Sequence, residues 1–257
     1  MGTPARPTNK KADREVRPTN KKADREVRPT NMSASWFFVG VDLGQVRDFT
    51  AIAVLERAEL TGAWDAAVFA FRKEVRLRLR YLERVALRTP YPAVVERVRE
   101  VTRSSELAGR CQIIADGTGV GRPVIDLLRS ANLGCGLLPV IITNGDTETE
   151  AEGYHRVPKR DLIIGLQVLL QCDKLQIASR LAHGPTLAKE MADMQVKTTP
   201  SGREQYGAWR EGQHDDLVLA ASLACWGARK MHPKPLQGEN AYWRRTERQP
   251  DIWKALM

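Results

Sequence analysis

The chain has 257 residues, 42% of them hydrophobic and 28% charged, with a formal net charge of +9. That holds enough apolar sequence for one large domain or two small ones, while no apolar run approaches the roughly 20 residues that span a bilayer, so a soluble, cytoplasmic chain without membrane association is expected. The positive excess favours an anionic partner, yet residues 1–31 carry nine Lys/Arg against four Asp/Glu, which leaves the remainder only mildly basic.

The first segment is a tandem repeat. Arg6 to Val16 recurs as Arg17 to Val27, and Arg28 begins a third copy. Such identity points to recent duplication of a short element or to an upstream start, with Met32 the natural alternative. Residues 1–34 lack apolar side chains to bury and read as a disordered basic segment, either solvated or touching DNA. The folded domain is expected over residues 35–231, and residues 232–257 read as an irregular basic tail.

Trp36 to Val41 is apolar and β-prone, and Thr50 to Leu55 returns as a second strand. Gly44 supplies turn freedom between them. Asp42 closes the first strand, where a buried carboxylate needs something positive beside it. Asp before a glycine turn also bonds nearby backbone N–H groups, so Asp42 reads either as turn chemistry or as a metal ligand. Asp48 lies across the turn within reach of the same spot.

From Val75 to Tyr81 apolar residues alternate with Arg76, Arg78 and Arg80, a strand with one buried and one cationic face. The cationic face meets phosphates or water. Ala93 to Leu107 has helical spacing. Cys111 to Ala115 is a strand apolar on both faces, as in the centre of a covered sheet, and it ends in Asp116, where open α/β sheets place ligands. Gly117 to Gly121 leads into a helix over 122–131, without P-loop or dinucleotide spacing. The four cysteines, Cys111, Cys135, Cys172 and Cys225, form no CxxC pair and read as buried hydrophobes in a reducing compartment.

Leu137 to Ile142 is another strand, and Thr147 to Gly153 an acidic loop. Arg156, Lys159 and Arg160 precede or open a helix running to Gln171. Cations are unfavourable at a helix N-terminus without an anion nearby, so this cluster faces phosphate or is plain surface. A short strand over 174–178, a helix over 185–191 and a hairpin from 194 to 209 follow. His214-Asp215-Asp216 then starts an Ala-rich apolar helix. Acids favour a first helical turn through the dipole, but tight packing of that helix on the sheet would also set both carboxylates at the sheet's edge.

Three acidic points therefore arise: Asp42, Asp116 and Asp215-Asp216. Gathered at one edge they repel, unless cations intervene. Carboxylates with few other donors suit Mg²⁺ or Mn²⁺, and two such ions stabilise both oxygens of a phosphodiester displacement.

The order Asp42-x-Gly44, Asp48-Phe49-Thr50-Ala51, Ala115-Asp116-Gly117-Thr118-Gly119-Val120-Gly121, Val157-Pro158-Lys159-Arg160 and His214-Asp215-Asp216-Leu217 resembles the nuclease domain of phage terminase large subunits. The resemblance covers roughly residues 36–229. It implies an α/β fold, a ribonuclease H-like mixed central sheet flanked by helices. It implies a metal-dependent endonuclease that cuts double-stranded phage DNA for packaging with two Mg²⁺ or Mn²⁺ ions. Asp42, Asp116, Asp215 and Asp216 would be catalytic metal ligands with Asp216 the principal third one, and Asp48 auxiliary. Lys159, Arg160 and Arg156 would contact DNA. Packaging terminases carry a P-loop ATPase, which is missing here, so a separate ATPase, a portal or a small terminase subunit becomes the expected partner in a bacterial host. A Holliday-junction resolvase of the same superfamily and an actin- or sugar-kinase-like phosphate-transfer enzyme are the competing readings.

Overall fold

The computed structural model describes residues 2, 35–44, 46, 48–119, 121–198, 204–207 and 214–231. The expected N-terminal basic segment (Gly2 aside), the tail from 232, and the loop and distal end of the late hairpin lie outside the described residues.

Eight strands make one mixed sheet in the order β6-β7-β5-β4-β1-β2-β3-β8. Strands β1 (Trp36–Asp42), β2 (Thr50–Asp65) and β3 (Ala70–Val85) form an antiparallel meander. Parallel to β1 runs β4 (Cys111–Asp116), followed by β5 (Gly136–Thr143) and β7 (Tyr154–Pro158), also parallel. The edges are β6 (Thr149–Ala151), antiparallel to β7, and β8 (Leu175–Ile177), parallel to β3. A separate hairpin pairs β9 (Gln195–Thr198) with β10 (Glu204–Gly207).

Each sheet face has its own core. Helices α1 (Tyr91–Thr102) and α2 (Gly121–Ser130) cover one face, against Val39, Val41, Ile52, Ile113 and Ala115. Helices α3 (Lys159–Gln171), α4 (Gly184–Asp193) and α5 (Asp216–Lys230) cover the other, against Phe38, Ala51, Ala53, Leu55 and Ile114. The alternation within β1 and β4 is the period of two that a pleated strand imposes. It sets Phe38, Gly40 and Asp42 on the α5 face, and Ile114 and Asp116 with them. Since Val41 pairs with Ala115, the two aspartates end neighbouring parallel strands on one face.

Helix α5 is buried from Asp216 to Ala228, with the sheet on one side and α3 and α4 on the other. Its approach to β1 is unusually close. A Cβ added at Gly40 would lie 1.9 Å from the Ala220 carbonyl oxygen and 2.8 Å from the Ala224 nitrogen. Gly40 is therefore required for contact, and the helix start, one turn before Ala220, comes level with the end of β1.

Several expectations need correction. Gly44 is not left-handed: among the described glycines only Gly109, Gly119, Gly134 and Gly153 have positive φ. Its small size serves proximity, since a Cβ there would meet the Asp48 carbonyl oxygen at 2.3 Å. The acidic loop after β5 is largely the β6–β7 hairpin, turned through Glu152 and Gly153, both at positive φ. That is the backbone a tight two-residue hairpin needs. Helix α1 stops at Thr102, and Leu107 reaches the same core from a turn. Cys172 is exposed and Cys135 half-buried; only Cys111 and Cys225 are interior, and all four are free thiols. Strands β2 and β3 extend past the core as an arm bearing exposed Trp64, Phe69 and Phe71. No helix among the described residues is long and apolar enough to cross a membrane.

One irregularity re-aims a side chain. The β2–β3 register shifts between Val54, opposite Tyr81, and Leu55, opposite Leu79, which leaves Arg80 as the extra residue of a β-bulge. Before it Leu77 and Leu79 face α5. After it the face changes hands, so that Tyr81 joins the α1–α2 core while Leu82 joins the α5 core. Arg84 follows Leu82 onto the α5 face, away from Arg78 and Arg80, which pair with Glu56 on the other side. Bulges beside functional sites commonly act in this way.

Candidate metal centre

Asp42, Asp116 and Asp216 are 9%, 6% and 3% exposed. A buried carboxylate without compensation is costly, and its proton is held more tightly. Burial raises the Asp42 pKa well above the usual carboxylate range, and the charges of Asp116, Asp216 and Asp215 raise it further, with Lys159 opposing them. Burial also raises Asp116, offset by hydrogen bonds from Thr118 and Ile142 and by the Lys159 charge. The Thr118 N–H donates to Asp116 Oδ1 at 2.8 Å. Burial pushes Asp216 up to about 6, against the pull of Arg84 and His214. The acids from two strand ends and one helix start thus feel one another.

Asp48 is exposed in the β1–β2 turn, yet its carboxylate, His214 and Asp216 each offer a ligand atom within 4.8 Å of the others. His214 Nδ1 lies 3.7 Å from Asp216 Oδ2. Both atoms are buried without a hydrogen-bond partner. Unpartnered interior polar atoms call for an explanation, and a bound ion is one. Carboxylate oxygens with one imidazole are a donor set suited to Mn²⁺ or Mg²⁺, so the residues present fit a divalent cation.

The cationic cluster divides. Lys159 opens α3 and its Nζ donates to Asp215 Oδ2 at 2.7 Å. Its neighbouring anion is therefore a carboxylate of the centre itself. Arg160 lies 3.6 Å from Asp146 and 3.5 Å from Asp161. Arg156 is exposed on β7 and lines a recess of about 200 Å³ with Glu148, Glu150, His155 and Trp226.

Four residues were not singled out from sequence. His214 stood in the His-Asp-Asp run, where its position beside two acids was the available signal. Glu190 is buried on α4, and its Oε2 accepts the Val218 N–H at 3.1 Å. Burial pushes its carboxyl up to about 7, against hydrogen bonding from Val218 and the Arg84 charge. Arg84 donates from Nη2 to Glu190 Oε1 and lies 3.5 Å from Asp216 Oδ2. It also stacks over the Phe49 ring at 4.7 Å, and that ring meets His214 edge-on at 5.2 Å.

The fold and the acids together define an α/β domain, a mixed sheet covered by helices on both faces, with an acidic centre at the carboxyl ends of β1 and β4. Among solved structures, the chain is similar to the large terminase nuclease from thermophilic phage G20c with bound magnesium, at 21% identity and TM-score 0.49 over 77% of this chain and 82% of that one. It is similar to the large terminase nuclease domain of Thermus phage P74-26, at 18% identity and TM-score 0.46 over 74% and 78%. It is also similar to the g2p large terminase nuclease domain from bacteriophage SPP1 with bound Mn, at 14% identity and TM-score 0.43 over 76% and 87%. No protein-family model matches the chain, and no curated protein matches it significantly. The chemistry rests on this chain's own side chains.

Proposed function

We propose that residues 35–231 form a metal-dependent endonuclease domain that cleaves the phosphodiester bonds of double-stranded DNA in phage packaging. The observation that carries this reading is the convergence of buried Asp42, Asp116 and Asp216 beside unpartnered His214 Nδ1 and Asp216 Oδ2. Evenly spaced surface acids would lie in water with ordinary pKa values. Buried acids that repel one another are an arrangement built for a cation.

Asp42, Asp116 and Asp216 would hold Mg²⁺ or Mn²⁺, with Asp215, Asp48 and His214 completing two ion positions. Bound there, divalent cations would supply charge to phosphate oxygens and make a bound water more acidic. The chain's own residues orient and shield. Lys159 neutralises part of the acidic charge through Asp215, and released from it could meet a phosphate. Arg160 and Arg156 extend positive charge from the start of α3 along β7. The setting is the cytoplasm of a phage-infected or prophage-bearing bacterium, with a separate packaging ATPase, portal or small terminase subunit as partners.

Supercoiled plasmid incubated with the purified chain and Mn²⁺ tests this. Nicked and linear products are expected, abolished by EDTA and by Asp42→Asn or Asp116→Asn. Digestion by both variants at the parental rate would defeat the reading.

A further inference from the structure

Glu190 is not among the proposed ion ligands, yet its carboxyl is 4% exposed and lies beside Asp216. It sits with Leu187 on the buried face of α4. One oxygen accepts the Val218 N–H in the first turn of α5, and the other accepts a hydrogen bond from Arg84 Nη2. The same Nη2 stands 3.5 Å from Asp216 Oδ2, longer than the roughly 2.7–2.9 Å of a charge-assisted hydrogen bond. The guanidinium lies between two buried carboxyls and is bonded to one. Asp216 Oδ2 consequently receives no hydrogen bond. Phe49 holds the guanidinium from its flat side.

We propose that Glu190 is a positioning residue that withholds Arg84 from Asp216, leaving the Asp216 carboxylate open to a divalent ion instead of closed by an internal cation. The proposal rests on the metal-centre reading above. Without the Glu190 charge, Arg84 closes its gap to Asp216, and an incoming ion must displace it. Groups that orient metal ligands typically change metal affinity by about 10- to 100-fold. The Glu190→Gln substitution tests charge while retaining an amide oxygen to accept the Val218 N–H, so the start of α5 keeps its cap.

Mn²⁺ titration of the full chain at pH 8, followed by calorimetry and by electron paramagnetic resonance of the free ion, distinguishes the outcomes. Glu190→Gln is expected to weaken Mn²⁺ binding by about 10- to 100-fold. Arg84→Met, with Glu190 intact, binds at least as tightly as the parent, and the double variant recovers to within about threefold of it. Parental affinity in Glu190→Gln overturns the proposal, as does a double variant as weak as Glu190→Gln alone. If Glu190→Gln does not fold, Arg84→Met decides: undiminished affinity supports the proposal, and a tenfold loss overturns it. A parent chain that binds no Mn²⁺ removes the metal-centre reading and this one with it. A parent that binds while Glu190→Gln matches it removes this one only.

Discussion

Gly40→Ala probes the packing that brings α5 to the acids. The added Cβ would stand 1.9 Å from the Ala220 carbonyl oxygen. Non-bonded carbon contacts settle near 3.5 Å, so the helix must retreat by about 1.5 Å or β1 must bend by as much. Both atoms it meets are backbone, so no rotamer change relieves the clash. A radial gap of about 0.5–1 Å already forfeits a quarter to a half of each contact's attraction. The interface losing it includes Phe38, Leu217, Ala220, Ala221 and Ala224, all buried. Overpacking typically costs about 1–3 kcal/mol, and a backbone clash belongs at or above the upper figure. Asp216 moves with the helix while Asp42 stays on the strand. Displacements near 1 Å cost catalysis about 100-fold. Urea denaturation and Mn²⁺-dependent plasmid cleavage measure the two effects. Gly184→Ala is the control, because its Cβ makes an ordinary 3.6 Å contact with Leu181. A Gly40→Ala protein that unfolds at the parental urea concentration and cuts at the parental rate would refute the account of α5.

Other outcomes can be checked with less material. Mn²⁺ at about 100 times its dissociation constant should stabilise the chain by about 2.7 kcal/mol, seen as a raised melting temperature that EDTA reverses; a melt indifferent to both contradicts the centre. Burial raises the Glu148 pKa, but hydrogen bonds from Lys230 and Trp226 outweigh it and hold the carboxyl below its usual range. A depressed folded pKa gives stability that is present above the unfolded value near 4.5 and lost as pH falls through the folded one. Glu148→Gln should therefore melt below the parent at pH 7 and converge with it under acid conditions, whereas a gap widening toward low pH would reverse the sign. Deleting residues 1–31 should leave melting temperature and cleavage unchanged, because that stretch has almost no apolar side chains to contribute.

Much of this arrangement was legible in the chain. An apolar strand ending in an acid occurs twice, at Asp42 and Asp116, and a period of two then fixes which face each takes. The Ala-rich start of α5 also signalled a helix lying close on the sheet. What escaped was set by tertiary context. The cationic alternation of β3 was visible, but the bulge at Arg80 depends on pairing with β2 and so hid the fate of Arg84. Glu190 carried no signal within the helix read over 185–191, because its partners, Arg84 and Val218, are remote in sequence. The partner of Lys159 was equally remote: the sequence left phosphate or plain surface open, and the structure sets Asp215 beside it. The Glu152-Gly153 turn was overlooked because acidic residues surround it, although its backbone is that of a hairpin.

The extra residue in β3 makes the two halves of that strand unequal in what they tolerate. Removing Arg80 would leave a regular strand with Tyr81 still opposite Val54 and Arg84 still opposite Ala51, on the α5 side, whereas removing Glu83 beyond the bulge would set Arg84 opposite Ile52 on the α1–α2 side and take its cation from between Glu190 and Asp216. One codon lost at the bulge is absorbed, and one lost three residues later rewrites the electrostatics of the whole centre.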